Sequence, residues 1–324
     1  MTIANPARLQ AARRQIEAFR LAGVPPKGAA PDAARKLQLS PAGWPVTRGA
    51  LVAQLVDRMG GVRQPMQANT SYCGPASFLY CLLEDRPDLY VAYATSIWTH
   101  GDYRIGDLEI DPDPGTAAAL GGINVQRARN PKGGHISSLD WLMMASLSIA
   151  TRQWFVPGSS AQADDVARSI TYPWVLKRWF AAVGTRPVHD SMGLGLGKAG
   201  LREFVQAMHY WGRHWIVLQI DSSLIVGGTT STFENRHWVV VDPHYRPRVR
   251  DGEGRVVPLG DIVERIVPRA MPRAGVYWDD SAVRDWRMDL RLFSWGKEGV
   301  RARTDRLGDV PARFYGAFAF PRFG

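Results

Sequence analysis

Cysteine is scarce in this chain: its 324 residues include only two, Cys73 and Cys81. Two thiols cannot supply a disulfide framework or a cysteine zinc cluster. They cannot bridge to each other on one helix either, because eight residues at a rise of about 1.5 Å separate their Cα atoms by roughly 12 Å. The sequence therefore predicts a protein made in a reducing compartment, and neither a metal nor another cofactor is expected.

Long apolar runs are also missing. The longest uncharged apolar run, Trp141 to Ala150, is too short to span a bilayer and is typical of a core helix. The residues near the N-terminus are rich in arginine and contain no continuous apolar stretch, which is not typical of a secretory signal. No transmembrane segment is predicted.

Acidic residues are in the minority, with 30 Asp and Glu against 40 Lys and Arg, so the formal net charge is +10. A positive excess favours an anionic environment or partner, such as a membrane surface, a cell wall or a nucleic acid. The arginines are spread along the whole chain instead of forming one block. Recognition of a nucleic acid is therefore not predicted.

The most informative stretch is a polar loop that leads into an apolar helix, Gln-Ala-Asn-Thr-Ser-Tyr-Cys-Gly-Pro-Ala-Ser-Phe-Leu-Tyr at residues 67–80. Pro75 suits the first helical position, and a helix running through Leu89 is predicted. A cysteine at a helix start faces unpaired N–H groups and the positive end of the helix dipole, and both favour the thiolate. Cys73 is therefore a candidate nucleophile. The alternative is a small buried residue at a helix start.

Seven histidines could supply the base that a thiol enzyme needs. His237 begins a β-branched run that predicts a buried strand to residue 242, and His214 begins another strand that ends at residue 221. If the two strands pair as a hairpin, His214 and His237 lie at opposite edges of the sheet and cannot serve one site. The other five histidines lie in loop-like or helical contexts.

Two aspartates are candidates for the residue that orients the imidazole. Asp242 lies five residues after His237, and an odd offset in a strand puts the two side chains on opposite faces, roughly 16 Å apart. Asp242 followed by Pro243 is instead typical of a type I turn. A turn there would return the chain so that Asp251 lies beside His237. The alternative for Asp251 is a surface turn over residues 250–254.

Gln67 lies six residues before Cys73, and the string Gln-x5-Cys-Gly-Pro-Ala resembles the papain-like cysteine peptidase superfamily, especially bacteriocin-leader-processing peptidase domains. In that superfamily the glutamine and the backbone N–H of the cysteine form the oxyanion hole, which implies this role for Gln67, with Asn69 as the next candidate. The resemblance also implies that His237 is the base and that Asp251 orients it. The second cysteine and the aromatic residue of the papain signature are absent, so the resemblance is to the superfamily.

The resemblance covers roughly residues 60 to 260 and implies an α+β, papain-like fold. A helical subdomain that carries the nucleophile would pack on an antiparallel sheet that carries the base. We expect a helical N-terminal arm over residues 1–45 and a catalytic domain over residues 46–324. Further helices are predicted at 135–150, 164–170, 172–183 and 201–210, and further strands at 104–110, 255–259, 289–295 and 313–320.

The predicted function is a cysteine-dependent amide-bond hydrolase, either a peptidase or a glutamine deamidase. Residues 73–80 and 84–90 also resemble papain-like proteins of Gram-negative bacteria that include secreted effectors and toxins. This implies a protein or peptide substrate, and a secretion machinery or a cognate immunity protein as partner. The absence of a signal fits delivery into a target cell by a specialised secretion system and fits the bacterial cytoplasm equally. The alternatives are a peptidoglycan amidase and an inactive papain-like interaction module with tryptophans lining its groove.

Overall fold

The computed structural model describes residues 5–67, 70–112, 136–152, 171–193, 197–227, 236–270 and 276–324. The chain divides into two compact units, the first formed by residues 1–184 with 323–324 and the second by residues 185–322. The first unit is mainly helical and the second is built on antiparallel sheets. The protein therefore has the predicted α+β composition.

The first unit is built of helices with one small hairpin. Its described elements are α1 (Pro6–Leu21), α2 (Pro31–Lys36), α3 (Arg48–Met59), α4 (Cys73–Asp85), α5 (Pro87–His100), β1 (Tyr103–Ile105), β2 (Leu108–Ile110), α6 (Ser138–Arg152) and α7 (Pro173–Ala182). The single strand predicted over residues 104–110 is in fact the β1–β2 hairpin. Gly106 makes the turn possible because it takes a positive φ of 55°, which glycine adopts without steric cost.

The N-terminal residues pack onto the first unit through Arg48. Its guanidinium lies 4.4 Å from the ring centre of Phe19 on α1 and 4.7 Å from that of Trp98 on α5. The same group donates hydrogen bonds to the carbonyl oxygens of Phe19 and Leu37. Arg48 thereby connects α1, α3 and α5, so the predicted arm is part of the packed helical unit.

The helix that begins at Cys73 is shorter than predicted. It ends at Asp85, and Pro87 begins α5. Arg86 between them has φ −131° and ψ 60°, outside the helical region. A residue that precedes proline is driven out of the helical conformation by the proline ring, which explains the break. Pro75 is the third helical residue and not the first, a position whose N–H would still lack an intrahelical partner.

A buried ion pair connects α3 to the start of α6. Arg58 donates to the Asp140 carboxylate at 2.6 Å, and both side chains are 3% exposed. Ser137 donates to the other oxygen of Asp140 at 2.8 Å and accepts the Asp140 N–H at 3.0 Å. Gln54, one turn before Arg58, accepts the N–H of Leu139 at 2.9 Å. The first turn of α6 is therefore held by two side chains of α3.

The second unit consists of antiparallel strands with two short α-helices and two 3₁₀ helices. Its described elements are β3 (His189–Asp190), α8 (Leu201–His209), β4 (His214–Asp221), α9 (Ser223–Val226), β5 (Arg236–Val241), β6 (Arg248–Arg250), β7 (Val256–Pro258), the 3₁₀ helix Leu259–Arg265, β8 (Val267–Ala270), β9 (Val276–Asp279), β10 (Arg287–Asp289), β11 (Arg291–Ser294), β12 (Lys297–Arg301), the 3₁₀ helix Leu307–Asp309 and β13 (Phe314–Pro321). Six strands form the main sheet in the order β12-β11-β5-β4-β13-β3. A smaller sheet has the order β10-β6-β7, and β8 pairs with β9.

One face of the main sheet carries the apolar core of the second unit. Alternate residues of β4 and β5 contribute to it, and α8 packs on β13 and on the first 3₁₀ helix. The buried members on these elements include Phe204, Val205, Ile216, Leu218, Ile220, Val239 and Val241. The β-branched runs that predicted buried strands thus supply this core.

The predicted β4–β5 hairpin is confirmed, with Ile220 opposite His237. His214 begins β4, so the two histidines lie at opposite ends of the pair as expected. Helices α6, α7 and α8 and strands β7, β11 and β13 also follow the predicted positions within a few residues. The predicted helix at 164–170 lies outside the described residues. Among the described residues, no helix combines the length and the apolarity needed to cross a membrane.

The predicted neighbour of the His237 strand is wrong. Strand β5 pairs with β4 on one side and with β11 on the other, where Phe293 lies opposite Val240. Strand β6, which was expected beside β5, pairs with β7 and β10 in the smaller sheet. The expected turn after Asp242 does form, but β11 occupies the edge of β5. Strand β11 takes the place beside β5 because its central residues are apolar and are buried there, whereas β6 carries the exposed Arg248 and Arg250.

Candidate active site

Cys73 is the first residue of α4, and Tyr72 precedes it as the capping residue. The first N–H groups of a helix have no partner within the helix, and the dipole is positive there. Both effects favour a thiolate at this position over a thiol. Residue Cys73 is 8% exposed, whereas Cys81 in the same helix is 0% exposed. Cys73 is thus the more accessible of the two thiols.

The chain around Cys73 is closely packed. A Cβ atom added to Gly74 would lie 2.3 Å from the Thr171 hydroxyl oxygen, so only glycine allows this approach. Tyr72 contacts Trp141 of α6 edge to face, with ring centres 5.9 Å apart. The first turn of α4 is therefore held between α6 and the residues that precede α7. The close approach of Thr171 therefore explains why a glycine follows Cys73.

Gln67 lies in the loop before α4 and is only 5% exposed. Its side-chain amide donates to the backbone carbonyl oxygen of Thr70 at 3.0 Å. The Thr70 hydroxyl in turn donates to the backbone carbonyl oxygen of Gln67 at 2.6 Å. A glutamine amide has two N–H donors, and the bond to Thr70 uses one of them. Gln67 therefore has the chemistry that an oxyanion donor requires. Asn69, the next candidate for that role, lies outside the described residues.

His237 lies in the second unit, as the second residue of β5, and is 5% exposed. Its Nε2 atom lies 2.8 Å from the hydroxyl oxygen of Ser294 on β11. Its ring is stacked on that of Trp295, with centres 4.6 Å apart and planes at 16°. Burial lowers the pKa of His237 from its usual 6.5 to about 4. The imidazole is therefore neutral at pH 7 and able to accept a proton.

The turn after β11 is the source of the Trp295 contact. Ser294 and Lys297 face each other across the β11–β12 hairpin, so Trp295 and Gly296 form its two-residue connection. Both connecting residues have positive φ, 48° for Trp295 and 71° for Gly296, as a type I′ turn requires. In the part of the chain that the structure describes, Trp295 is the only non-glycine residue with positive φ.

Asp251 does not lie where the sequence predicted it. Its carboxylate accepts the backbone N–H groups of Glu253 and Arg255 at 3.0 and 2.9 Å, and the Arg255 guanidinium at 2.9 Å. Burial acts to raise the pKa of Asp251, but these hydrogen bonds outweigh it and the pKa is lowered. Asp251 therefore holds the turn between β6 and β7, and the strand pairing that would bring it beside His237 is not formed.

Asp242, the other candidate, also stabilises a turn. Its carboxylate accepts the N–H of His244 at 2.8 Å, two residues further along the chain. This is the local hydrogen bond that aspartate forms at the first position of a turn, as the Asp-Pro sequence indicates.

Ser294 and Trp295 were not predicted as site residues from the sequence. Both lie in the predicted strand 289–295, but a serine followed by a tryptophan is not a catalytic motif. Their relevance comes from the pairing of β11 with β5, which connects residues 57 positions apart. Pairing over such a distance is not encoded by local periodicity, so only the register of the sheet could have revealed it.

The candidate residues belong to both units of the chain. Cys73 and Gln67 lie in the first unit, within one loop and helix start, whereas His237, Ser294 and Trp295 form one contact set in the second. The first set can supply a nucleophile and an oxyanion donor, and the second can supply an oriented, neutral base. Comparison with protein-family models, with curated proteins and with solved structures finds no match to this chain.

Proposed function

We propose that the protein is a cysteine-dependent amide-bond hydrolase of the papain-like type. Cys73 is the nucleophile, His237 is the base, and Gln67 with the backbone N–H of Cys73 stabilises the oxyanion. The observation that carries the proposal is the position of Cys73 at the start of α4, with the buried amide of Gln67 in the loop six residues before it. This combination of thiol, helix start and upstream amide is what the resemblance implies.

The first half of the reaction forms a thioester. The Cys73 sulfur attacks the carbonyl carbon of the substrate amide, and His237 accepts the thiol proton. The carbonyl oxygen becomes an oxyanion, to which Gln67 and the Cys73 N–H donate hydrogen bonds. When the tetrahedral intermediate collapses, the C–N bond breaks and His237 gives its proton to the leaving amine.

The second half regenerates the enzyme. A water molecule attacks the thioester carbonyl while His237 accepts a proton from it. Collapse of this second intermediate breaks the C–S bond, and the proton returns from His237 to the sulfur. The products are the acid and the amine of the original amide. The pKa of His237 near 4 leaves the imidazole neutral and able to accept a proton at pH 7, while burial makes it a weaker base than a free imidazole.

The same chemistry serves three kinds of amide: a protein backbone, a glutamine side chain and a peptide bond of peptidoglycan. We propose a protein or peptide substrate. Action as a secreted bacterial effector or toxin, with a secretion machinery and an immunity protein as partners, rests on the resemblance of residues 73–80 and 84–90. These parts of the proposal concern where the enzyme acts and which partners it has, and the reaction mechanism does not depend on them.

Intact-mass analysis of candidate substrates tests the proposal. The protein is incubated with an unfolded polypeptide, a glutamine-rich protein and purified peptidoglycan peptides, and each is weighed before and after. Fragments indicate a peptidase, and conversion of an amide to an acid without cleavage indicates a deamidase. Cys73→Ala should abolish either change. Cys81→Ala is the matched control, since it removes the other, fully buried thiol of α4 and should retain activity.

Two results would overturn the proposal. Turnover by Cys73→Ala at the wild-type rate would exclude a thiol mechanism at this residue. No mass change in any substrate class, with a folded wild-type protein, would favour the papain-like interaction module instead.

A further inference from the structure

We propose that Ser294 and Trp295 position His237, with Ser294 binding Nε2 so that Nδ1 is the nitrogen that accepts the proton. We call this pair of residues the His237 clamp. The catalytic consequence of the clamp rests on the proposed function, but its effect on the imidazole does not. The clamp has the role of orienting the imidazole, which the sequence analysis assigned to Asp251.

The hydrogen bond fixes which way the ring is turned about its Cβ–Cγ bond. Nε2 of His237 lies 2.8 Å from the Ser294 hydroxyl, and the two residues are 5% and 2% exposed. A buried polar atom that loses its hydrogen-bond partner has an energetic cost, because its lost contact with water is no longer compensated. Turning the ring so that Nε2 leaves Ser294 would impose that cost. The arrangement seen in the structure is therefore strongly preferred over its flipped alternative.

Stacking fixes the plane of the ring. The Trp295 indole lies nearly parallel to the imidazole, at 16° and 4.6 Å between centres. A change in the tilt of His237 would break this contact or push the indole away. Histidine has two side-chain torsions, and the hydrogen bond and the stacked indole together restrain both of them.

The backbone of Trp295 is strained, which favours a role for its ring. Its φ of 48° lies in the left-handed region, which is unfavourable for residues other than glycine, asparagine and aspartate. The next residue, Gly296, occupies the other left-handed position of the turn at no such cost. Strain of this kind persists where surrounding contacts outweigh it, and it is concentrated at functional sites. In this turn the pairing of β11 with β12 and the stacking of Trp295 on His237 are contacts that offset it.

A serine partner has a different chemical effect from a carboxylate. The hydroxyl is neutral, so it can accept a hydrogen bond from Nε2–H without adding a negative charge that stabilises the imidazolium. In the tautomer that we propose, the hydroxyl accepts from Nε2–H, and the lone pair of Nδ1 remains free to act as the base. The low pKa of His237, which burial causes, agrees with a partner that carries no charge.

Nuclear magnetic resonance of ¹⁵N-histidine-labelled protein tests the clamp without a substrate. The ring nitrogens of His237 are assigned by the signals missing from His237→Gln. We expect wild-type protein at neutral pH to show Nε2 protonated and Nδ1 unprotonated. Ser294→Ala should give a mixture of the two tautomers, and Ser294→Thr, which keeps a hydroxyl, should restore the wild-type pattern. Protonation of Nδ1 in the wild type, or an unchanged pattern in Ser294→Ala, would overturn the inference.

Kinetics then connect the clamp to the reaction, using whichever substrate the mass analysis identifies. Ser294→Ala should lower kcat about tenfold with little change in KM, as expected for one lost buried hydrogen bond. Trp295→Gly removes the ring and relieves the backbone strain, so it should lower kcat although the turn still forms. Trp295→Phe keeps an aromatic face and should recover most of the rate. A wild-type kcat in Ser294→Ala and Trp295→Gly would refute the positioning role.

The two kinds of measurement separate this inference from the proposed function. A protein with the expected tautomer but no hydrolytic activity would uphold the clamp and refute the hydrolase. A protein that hydrolyses amides but shows Nδ1 protonated would uphold the hydrolase and refute the clamp. Urea unfolding of each variant identifies those whose loss of rate follows from loss of structure.

Discussion

At the scale of single residues, the Gln67 amide is the part of the proposed oxyanion site that can be removed most selectively. Gln67→Ala deletes the donor and leaves the backbone N–H of Cys73, so we expect kcat to fall by about 10²–10³ with KM nearly unchanged. Steady-state kinetics on the identified substrate measure both constants. Thr70→Val is the control, because Gln67 donates to the backbone oxygen of Thr70, which that substitution keeps. A change in KM alone would make Gln67 a binding residue.

His237 should make the stability of the protein depend on pH. Its pKa is about 6.5 in an unfolded chain and about 4 in the folded protein, so between these values the unfolded state binds more protons. Stability is therefore unaffected by His237 above pH 7 and falls as the pH decreases through 6.5 towards 4. Between pH 7 and pH 5, His237 should lower the unfolding free energy by about 2 kcal/mol. Urea unfolding at the two pH values measures it.

The matched variant for this prediction is His237→Gln, which cannot take up the proton. Its stability should decrease less than that of the wild type over the same interval. An identical decrease in both proteins would show that the buried imidazole is not the group responsible.

At the scale of secondary-structure elements, the Arg58–Asp140 pair should contribute far more than a surface ion pair. Breaking a buried pair leaves an uncompensated charge, so Asp140→Ala should cost about 3–5 kcal/mol of unfolding free energy. Arg104→Ala is the comparison, since its partner Glu109 is 69% exposed and such pairs are worth about 1 kcal/mol or less. Urea unfolding gives both values, and equal effects would refute the structural role of the buried pair.

The elements also show what sequence patterns can and cannot predict. The start of α4 and the β4–β5 hairpin were predictable because proline, glycine and β-branched runs act over a few residues. The pairing of β11 with β5 was missed because register between distant strands depends on competition among strands. The position of Cys73 at a helix start was thus predictable from local sequence, and the residues that contact His237 were not.

At the scale of the whole molecule, the N-terminal helix is expected to be part of the folded first unit. Ala12 and Ile16 of α1 are buried, and Phe19 contacts Trp98 of α5 edge to face at 5.1 Å. Deletion of residues 1–22 should therefore expose Trp98 and lower the midpoint of thermal unfolding. Tryptophan fluorescence during heating measures the change. An unchanged midpoint would instead support a detachable arm of the kind that the sequence suggested.

The path of the chain between β5 and β11 has a consequence for how this protein could diverge. After β5 the chain leaves the main sheet, forms the smaller sheet and the β8–β9 hairpin, and returns as β11 directly beside β5. The contact of His237 with the clamp depends only on the positions of β5, where the chain leaves the main sheet, and of β11, where it returns. Insertions and deletions between these points are tolerated when they lie in exposed connections. Descendants of one ancestor could therefore differ widely in the length of this excursion and still keep the same histidine, serine and tryptophan in contact.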